Sequence, residues 1–332
     1  MKVAVVGAGG IGATIAARLA QGGNVVSLVA RGKHLDAIRC DGLRFIDREA
    51  GSSDTYRLNA SAIASELGTQ DVVVIAVKAH QIAGMRDAIA TLLTPESVVV
   101  PAINGMPWWY FDGIGGEFEG LRLQSLDPDG ALLHTLPADR ILGCVVHFAA
   151  EQRAAGEVHC TSGRRLILGE ASPARARRDS QRLRDVAAKL TDAGFEVETS
   201  HDIRRDVWVK LIGNLSFNPV AALTGYRMDQ ICADEAVLDV IRAILREGAQ
   251  VAAAVGVDVG ITPDERIAIA RKLGAARISM LQDLESGRSL ELAPIVGAVI
   301  EIAARAQIPV PATHTAHALV QARARALELP LH

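Results

Sequence analysis

The strongest constraint on this chain is the hexapeptide Gly7-Ala8-Gly9-Gly10-Ile11-Gly12, which directly follows the β-branched run Lys2-Val3-Ala4-Val5-Val6. It fits G-x-G-x-x-G, and each glycine has a physical reason. Gly7 permits the tight turn, Gly9 lets the backbone approach a pyrophosphate, and Gly12 lets helix and strand pack closely. The helical pattern over Ile11–Gln21 places the phosphates at a helix N-terminus, where free N–H groups and the helix dipole favour negative charge. Strand, glycine loop and helix in that order predict a dinucleotide site in which the whole segment from Gly7 to Gly12 takes part.

Two periods alternate through the following residues. Continuous apolar runs at 2–6, 25–29, 72–77 and 97–100 read as strands buried on both faces of a parallel sheet, with helical stretches at 11–21 and 82–93 between them. Further strands are predicted at 141–148, 165–168 and 195–199, with a helix at 174–193. After His201 long helical stretches dominate, about 202–223, 234–255, 263–276, 277–285, 292–306 and 312–327, separated by breakers such as Gly256, Pro263, Gly287 and Pro309. The expected fold is α/β: a Rossmann-type doubly wound parallel sheet followed by an all-α C-terminal domain. The expected domains are 1–200 for cofactor and 201–332 for substrate and catalysis.

The end of the second strand selects the dinucleotide. An acid there would bind the ribose 2′-OH of NAD. This chain reads Ala30-Arg31-Gly32-Lys33 instead, with no acid. Arg31 can clamp a 2′-phosphate through its planar fork and Lys33 adds charge, so NADP(H) is the expected cofactor. A solvated surface arginine is the competing reading.

Net charge is −3 and no long run of one sign occurs, so electrostatics give no support to nucleic acid or an anionic membrane as partner. No stretch reaches the roughly 18 uninterrupted apolar residues of a membrane span. The opening MKVAVVGAGG has neither the basic start nor the cleavage site of a signal peptide, and a cytoplasmic location is expected. The scattered Cys40, Cys144, Cys160 and Cys232 read as reduced thiols. No metal is expected: His314 and His317 are three apart but have no further ligands in pattern.

The segment 203–219 reads IRRDVWVKLIGNLSFNP. Lys210, Asn214 and Asn218 recur every four residues and form one stripe on a helix, surrounded by Val207, Trp208, Leu211, Ile212 and Leu215. A lysine in so apolar a helix is expensive without partners or a wet cleft, and burial lowers its pKa towards the range useful for proton transfer. A lysine snorkelling at the helix edge reads equally well from the stripe alone. Ser279 and Asp283 share a second helix face. Glu291 precedes Pro294, a residue favoured in a first helical turn, so its carboxylate is expected near a helix N-terminus.

Together these pieces resemble the ketopantoate reductase (2-dehydropantoate 2-reductase) family along essentially the whole chain. The similarity runs through GAGGIG, the ARG after the second strand, AVKAHQ around Lys78, INGM with Asn104-Gly105, WVKLIGNLSFNPVAALTG and SMLQDLESGRSLE. It implies NADPH-dependent reduction of ketopantoate to pantoate, a step of pantothenate biosynthesis. It makes Lys210 the general acid and Glu291 the residue that helps bind and orient substrate. It places Asn214 and Asn218 along the substrate site, Ser279 on the substrate carboxylate, Asn104 at the nicotinamide half of the cofactor and Lys78 on the cofactor side. The partner it implies is a small 2-oxo acid, with the reacting groups meeting between the domains; a homodimer stays open, since the sequence alone does not give the oligomeric state.

Some positions depart from the family pattern. Ala293, Val296 and Met228 stand where polar residues are common, and Pro107-Trp108-Trp109-Tyr110 forms an aromatic cluster that either packs or shapes a pocket for a bulkier substrate. A different 2-oxo acid or a 3-hydroxy acid therefore stays open as substrate. So does a non-catalytic protein that senses NADPH.

Overall fold

In the computed structural model, which describes residues 1–330, the valine-rich runs pair side by side as the alternation of periods predicts. The chain forms two compact units. The first comprises Met1–Ile103, Trp109–Gly120 and Gly130–Ile203; the second comprises Asn104–Trp108, Leu121–Asp129 and the chain from Arg204 onward.

The first unit begins β1 (Lys2–Val6), α1 (Gly10–Gln21), β2 (Val25–Val29) and α2 (Gly32–Asp41). Next come β3 (Leu43–Asp47), β4 (Ser52–Tyr56), β5 (Asn59–Ser61), β6 (Val72–Ile75), α3 (Ala79–Ala90) and β7 (Val98–Pro101). It ends with α4 (Ala131–Thr135), β8 (Leu142–Ala154), β9 (Glu157–Glu170), α5 (Pro173–Ala176), α6 (Gln181–Asp192) and β10 (Glu196–Ser200).

Five of these strands make a wholly parallel sheet in the order β5-β2-β1-β6-β7. Residues 72–75 and 98–101 are buried throughout, which is why they read as unbroken apolar runs rather than alternating ones. Strand order reverses at β1, so the crevice beyond the carboxyl ends of β1 and β6 is the topological switch point where such sheets take ligands.

A second sheet, ordered β10-β9-β3-β4 with β8 also paired to β9, is mixed in direction. The sequence reading finds only parts of it: β8 and β9 run well beyond the predicted 141–148 and 165–168, and β3 and β4 are additions, as is β5 at the edge of the parallel sheet. Helix α1 packs against strands of both sheets, and residues Gly12–Leu19 are all buried. The buried Arg18–Asp47 ion pair, 2.5 Å, fastens α1 to β3, with the guanidinium 5.4 Å from the ring centres of both Phe45 and Phe195.

The second unit is helical: α7 (Ile203–Thr224), α8 (Met228–Ala233), α9 (Glu235–Ala254), α10 (Pro263–Arg271), α11 (Ser279–Glu285), α12 (Ala298–Arg305) and α13 (Pro311–Ala326). Residues 293–297, just before α12, form a π-helical turn. Two carboxylates tie this unit together. Glu247 accepts from Ala312 N, Thr313 N and Thr313 Oγ1 at 2.8, 2.8 and 2.7 Å, capping α13 from below. Glu301 accepts from Gln124 N and Ser125 N at 2.6 and 2.9 Å, which fixes segment 121–129 on α12. Among the described residues no helix is long and apolar enough to cross a membrane.

Candidate active site

The glycine loop of the first unit shows why each glycine is required. Gly7 has φ +104°, and a Cβ there would lie 2.6 Å from Val77 Cγ1. A Cβ on Gly12 would stand 1.9 Å from the Gly7 carbonyl oxygen, so only glycine lets α1 begin this close to β1. Gly10 answers to the second sheet, because its Cβ would strike the Ala150 carbonyl oxygen of β8 at 2.2 Å. Gly9 differs: it is exposed, and its Cβ would meet nothing within 4 Å.

Open space therefore stands over the N-terminus of α1 where a pyrophosphate belongs. No side chain caps that helix and no acid occupies its first turn, so its leading N–H groups keep their capacity for an anion. Ala8 is buried and Ile11 half-buried beside this opening. These residues fit a dinucleotide.

Arg31 is the N-cap residue of α2, exposed together with Gly32 and Lys33, and no acid lies in the first turn of that helix. Its backbone carbonyl accepts from Leu35 N, whereas its guanidinium has no partner among the described residues. Lys78 stands at the N-cap of α3, beyond the end of β6, with its N–H donating to Gln81 Oε1 at 3.3 Å. Both basic residues thus follow carboxyl ends of parallel strands, the edge of the sheet that carries the glycine loop.

The second unit brings together residues distant in sequence. Lys210, half-buried on α7, donates from Nζ to Asn104 Oδ1 at 2.8 Å. Asn104 Nδ2 in turn points at Glu291 Oε2 at 3.5 Å, the outer limit of a hydrogen bond. The amide orientation follows from chemistry. An ammonium can only donate and a carboxylate can only accept, so the amide must present oxygen to Lys210 and nitrogen to Glu291.

One turn further along α7 lies half-buried Asn214, and beyond it Asn218, 3% exposed, whose Nδ2 reaches Ser279 Oγ at 3.5 Å. Ser279 is the first residue of α11 and is exposed. Asp283, on the same helix, accepts at Oδ1 from Arg288 Nε at 2.8 Å. Glu291, Asn104, Lys210, Asn214, Asn218 and Ser279 thus form a polar track along α7, hydrogen-bonded at its two ends, with Asn214 on the same helix face between them.

Asn104 is held by an arrangement the sequence reading misses. The following Gly105 has φ +84°, and any Cβ would lie 2.5 Å from the Pro294 carbonyl oxygen. That same oxygen accepts from Met106 N at 2.7 Å. The 293–297 π turn therefore presents a carbonyl to the 104–106 loop and sets Asn104 beside Glu291. The glycine after Asn104 was the available signal for so close a backbone approach.

The aromatic cluster packs. Trp109 and Tyr110 are each 1% exposed and belong to the first unit, where Tyr110 meets Phe111 edge-on at 4.9 Å. Met228 and Val296 are buried as well, which accounts for apolar residues at both positions.

Two family descriptions match the chain: Ketopantoate reductase PanE/ApbA over residues 3–173 and Ketopantoate reductase PanE/ApbA C terminal over residues 202–324. The chain belongs to the ketopantoate reductase family of NAD(P)-dependent oxidoreductases. It is 42% identical over 322 residues to the 2-dehydropantoate 2-reductase of Mesorhizobium japonicum, covering 97% of each chain. A crystal structure of a Ralstonia solanacearum MolK2 protein matches with a TM-score of 0.93 at 38% identity, covering 99% of both chains. D-mandelate dehydrogenase, solved with NADH and anilino(oxo)acetate, has a TM-score of 0.83 at 21% identity over 99% of this chain and 100% of its own, which shows a shared fold.

Proposed function

We propose that the chain reduces 2-dehydropantoate to pantoate with NADPH, using Lys210 as the general acid. The carrying observation is the track in which Lys210 is joined to Asn104 and, through it, to Glu291. When bound, NADPH supplies the hydride that adds to the substrate's carbonyl carbon.

Negative charge then develops on the carbonyl oxygen, and an ammonium within reach both stabilises that charge and delivers the proton that turns it into a hydroxyl. Asn104 holds the amine on one bearing, which removes part of the entropic cost of orienting a four-carbon chain. Glu291 holds the other end of the same amide and binds and orients substrate. Asn214, Asn218 and Ser279 supply amide and hydroxyl donors along the track for the substrate's carboxylate and hydroxyl. The exposed Arg31 and Lys33 take the 2′-phosphate that distinguishes NADPH from NADH, and Lys78 serves the cofactor side. The 42% identity to a 2-dehydropantoate 2-reductase over nearly the whole chain favours this substrate among 2-oxo acids.

The test follows NADPH absorbance with 2-dehydropantoate and a panel of other 2-oxo acids, for the wild-type protein and Lys210→Ala. Turnover with 2-dehydropantoate that collapses in the variant is the expected result. Dinucleotide binding with no turnover of any 2-oxo acid would overturn it.

A further inference from the structure

Arg266, the fourth residue of α10, sits in unusual surroundings. Its guanidinium lies against α7, 5.8 Å from the centre of the Phe217 ring, and a Cβ on Gly213 would be 2.0 Å from one of its nitrogens. Gly213 has an ordinary helical backbone, so the glycine there makes room and meets no conformational need. Glycine inside a helix costs about 1 kcal/mol relative to alanine, a cost the sequence accepts at the point where the guanidinium docks.

Among the described residues no acid answers that charge. The two carboxylates in the first turn of α10 are engaged elsewhere: Asp264 accepts from Arg242 Nε at 2.9 Å, and Glu265 accepts from Thr262 N and Oγ1 at 2.8 Å each. The Arg266 side chain forms no hydrogen bond or ion pair with a described residue. Burial pulls its guanidinium below the usual arginine range, with no carboxylate acting to raise it. A half-buried guanidinium keeping all five donors is costly unless something outside the chain accepts from it.

Beside it opens a cleft of about 230 Å³, whose apolar wall is Ile212, Leu245, Ala249 and Ile261 and whose other basic residue is the exposed Arg246. The cleft is separate from the polar track. Ile212 follows Lys210 by two residues, about 200° round the helix, and no residue of the track lines it.

We propose that this cleft, between α7, α9 and the start of α10, binds a small organic monoanion: a carboxylate on a short branched aliphatic body. The planar fork of Arg266 suits a carboxylate taken by two parallel hydrogen bonds. The apolar wall takes the hydrocarbon, and the volume lies below the 300–1,000 Å³ usual for larger ligands. The site rests on α7, the helix that carries Lys210, yet its existence does not depend on the reductase reading.

The experiment is isothermal titration of the full-length protein with 3-methylbutanoate and with the neutral 3-methylbutanamide. Saturable binding of the acid alone is expected. Arg266→Gln and Ala249→Leu, which fills the cleft, should each weaken that binding at least about tenfold, whereas Lys210→Ala and Ser279→Ala should leave it in place. Should Arg266→Gln fail to fold, Ala249→Leu decides alone. Absence of saturable binding, equal binding of the amide, or full binding by Ala249→Leu would each overturn the proposal.

Discussion

The Lys210 ammonium donates to the Asn104 side-chain oxygen at 2.8 Å, and the same amide turns its nitrogen to Glu291. One asparagine thus joins the α7 amine to the carboxylate that precedes the π turn. The amide oxygen is a neutral acceptor for the lysine, whereas a carboxylate in its place would favour the protonated amine more strongly and make it a poorer proton donor. Asn104→Asp is the informative change. It places a carboxylate against the amine, favours the protonated form and should move the alkaline limb of the kcat profile upward. A profile unchanged in shape and position would remove Asn104 from this role.

Loss of the amine itself should be more severe. Lys210→Ala is expected to lower kcat by about a hundredfold or more, the usual range for a lost general acid, with NADPH affinity nearly unaltered because the glycine loop is untouched. Steady-state kinetics and a fluorescence titration of NADPH check the two halves separately. Normal turnover would end the assignment.

Arg31→Ala probes dinucleotide choice. The side chain is exposed and its guanidinium has no partner among the described residues, so its removal should leave the fold intact. NADPH binding should weaken by about ten- to a hundredfold, as for a lost hydrogen bond to a charged group, while NADH binding changes little. The measurement is the ratio of the two dissociation constants, and an equal loss for both would cancel the 2′-phosphate role.

Gly105→Ala tests the latch on the π turn. An alanine at φ +84° carries strain of about 1–3 kcal/mol, and its Cβ would lie 2.5 Å from a backbone oxygen that cannot swing aside. A melting-temperature drop of several degrees and a fall in kcat are expected together, since Asn104 moves with its neighbour. Calorimetry and kinetics on one preparation decide it. A stable, fully active variant would show that the loop can shift without consequence.

Much of this was legible in advance, for definite reasons. Strands buried on both faces leave runs such as Val72–Ile75, and a glycine loop must follow β1 at fixed spacing. The stripe at 210, 214 and 218 follows from helical periodicity alone. The second sheet was harder because β4, Ser-Ser-Asp-Thr-Tyr, has no buried residue and gives no apolar signal. Helix α2 was missed because its mean polarity conceals buried His34, Leu35 and Ile38. Asn104 and Glu291 are 187 positions apart, and only tertiary structure brings one to the other. Arg266 gave no sign at all, since a guanidinium without a partner looks in sequence like any surface arginine.

His34 supplies a pH test of the first unit. Its side chain is buried, Nδ1 accepts from Gly156 N–H at 2.8 Å, and burial lowers its pKa below the ordinary 6.5 against a smaller opposing effect from the Ala8 carbonyl. The unfolded chain therefore takes up a proton at a higher pH than the folded one. Stability from this group is fully present above about 6.5 and is lost as pH falls from there towards the folded value. His34→Asn keeps an acceptor for Gly156 without a titrating group. Its melting temperature should therefore fall less than that of the wild type between about pH 7 and pH 5. His317, also lowered by burial and by His314, titrates in both proteins and cancels in the comparison. Parallel melting curves for the two proteins across that range would show that His34 is not a source of the acid sensitivity.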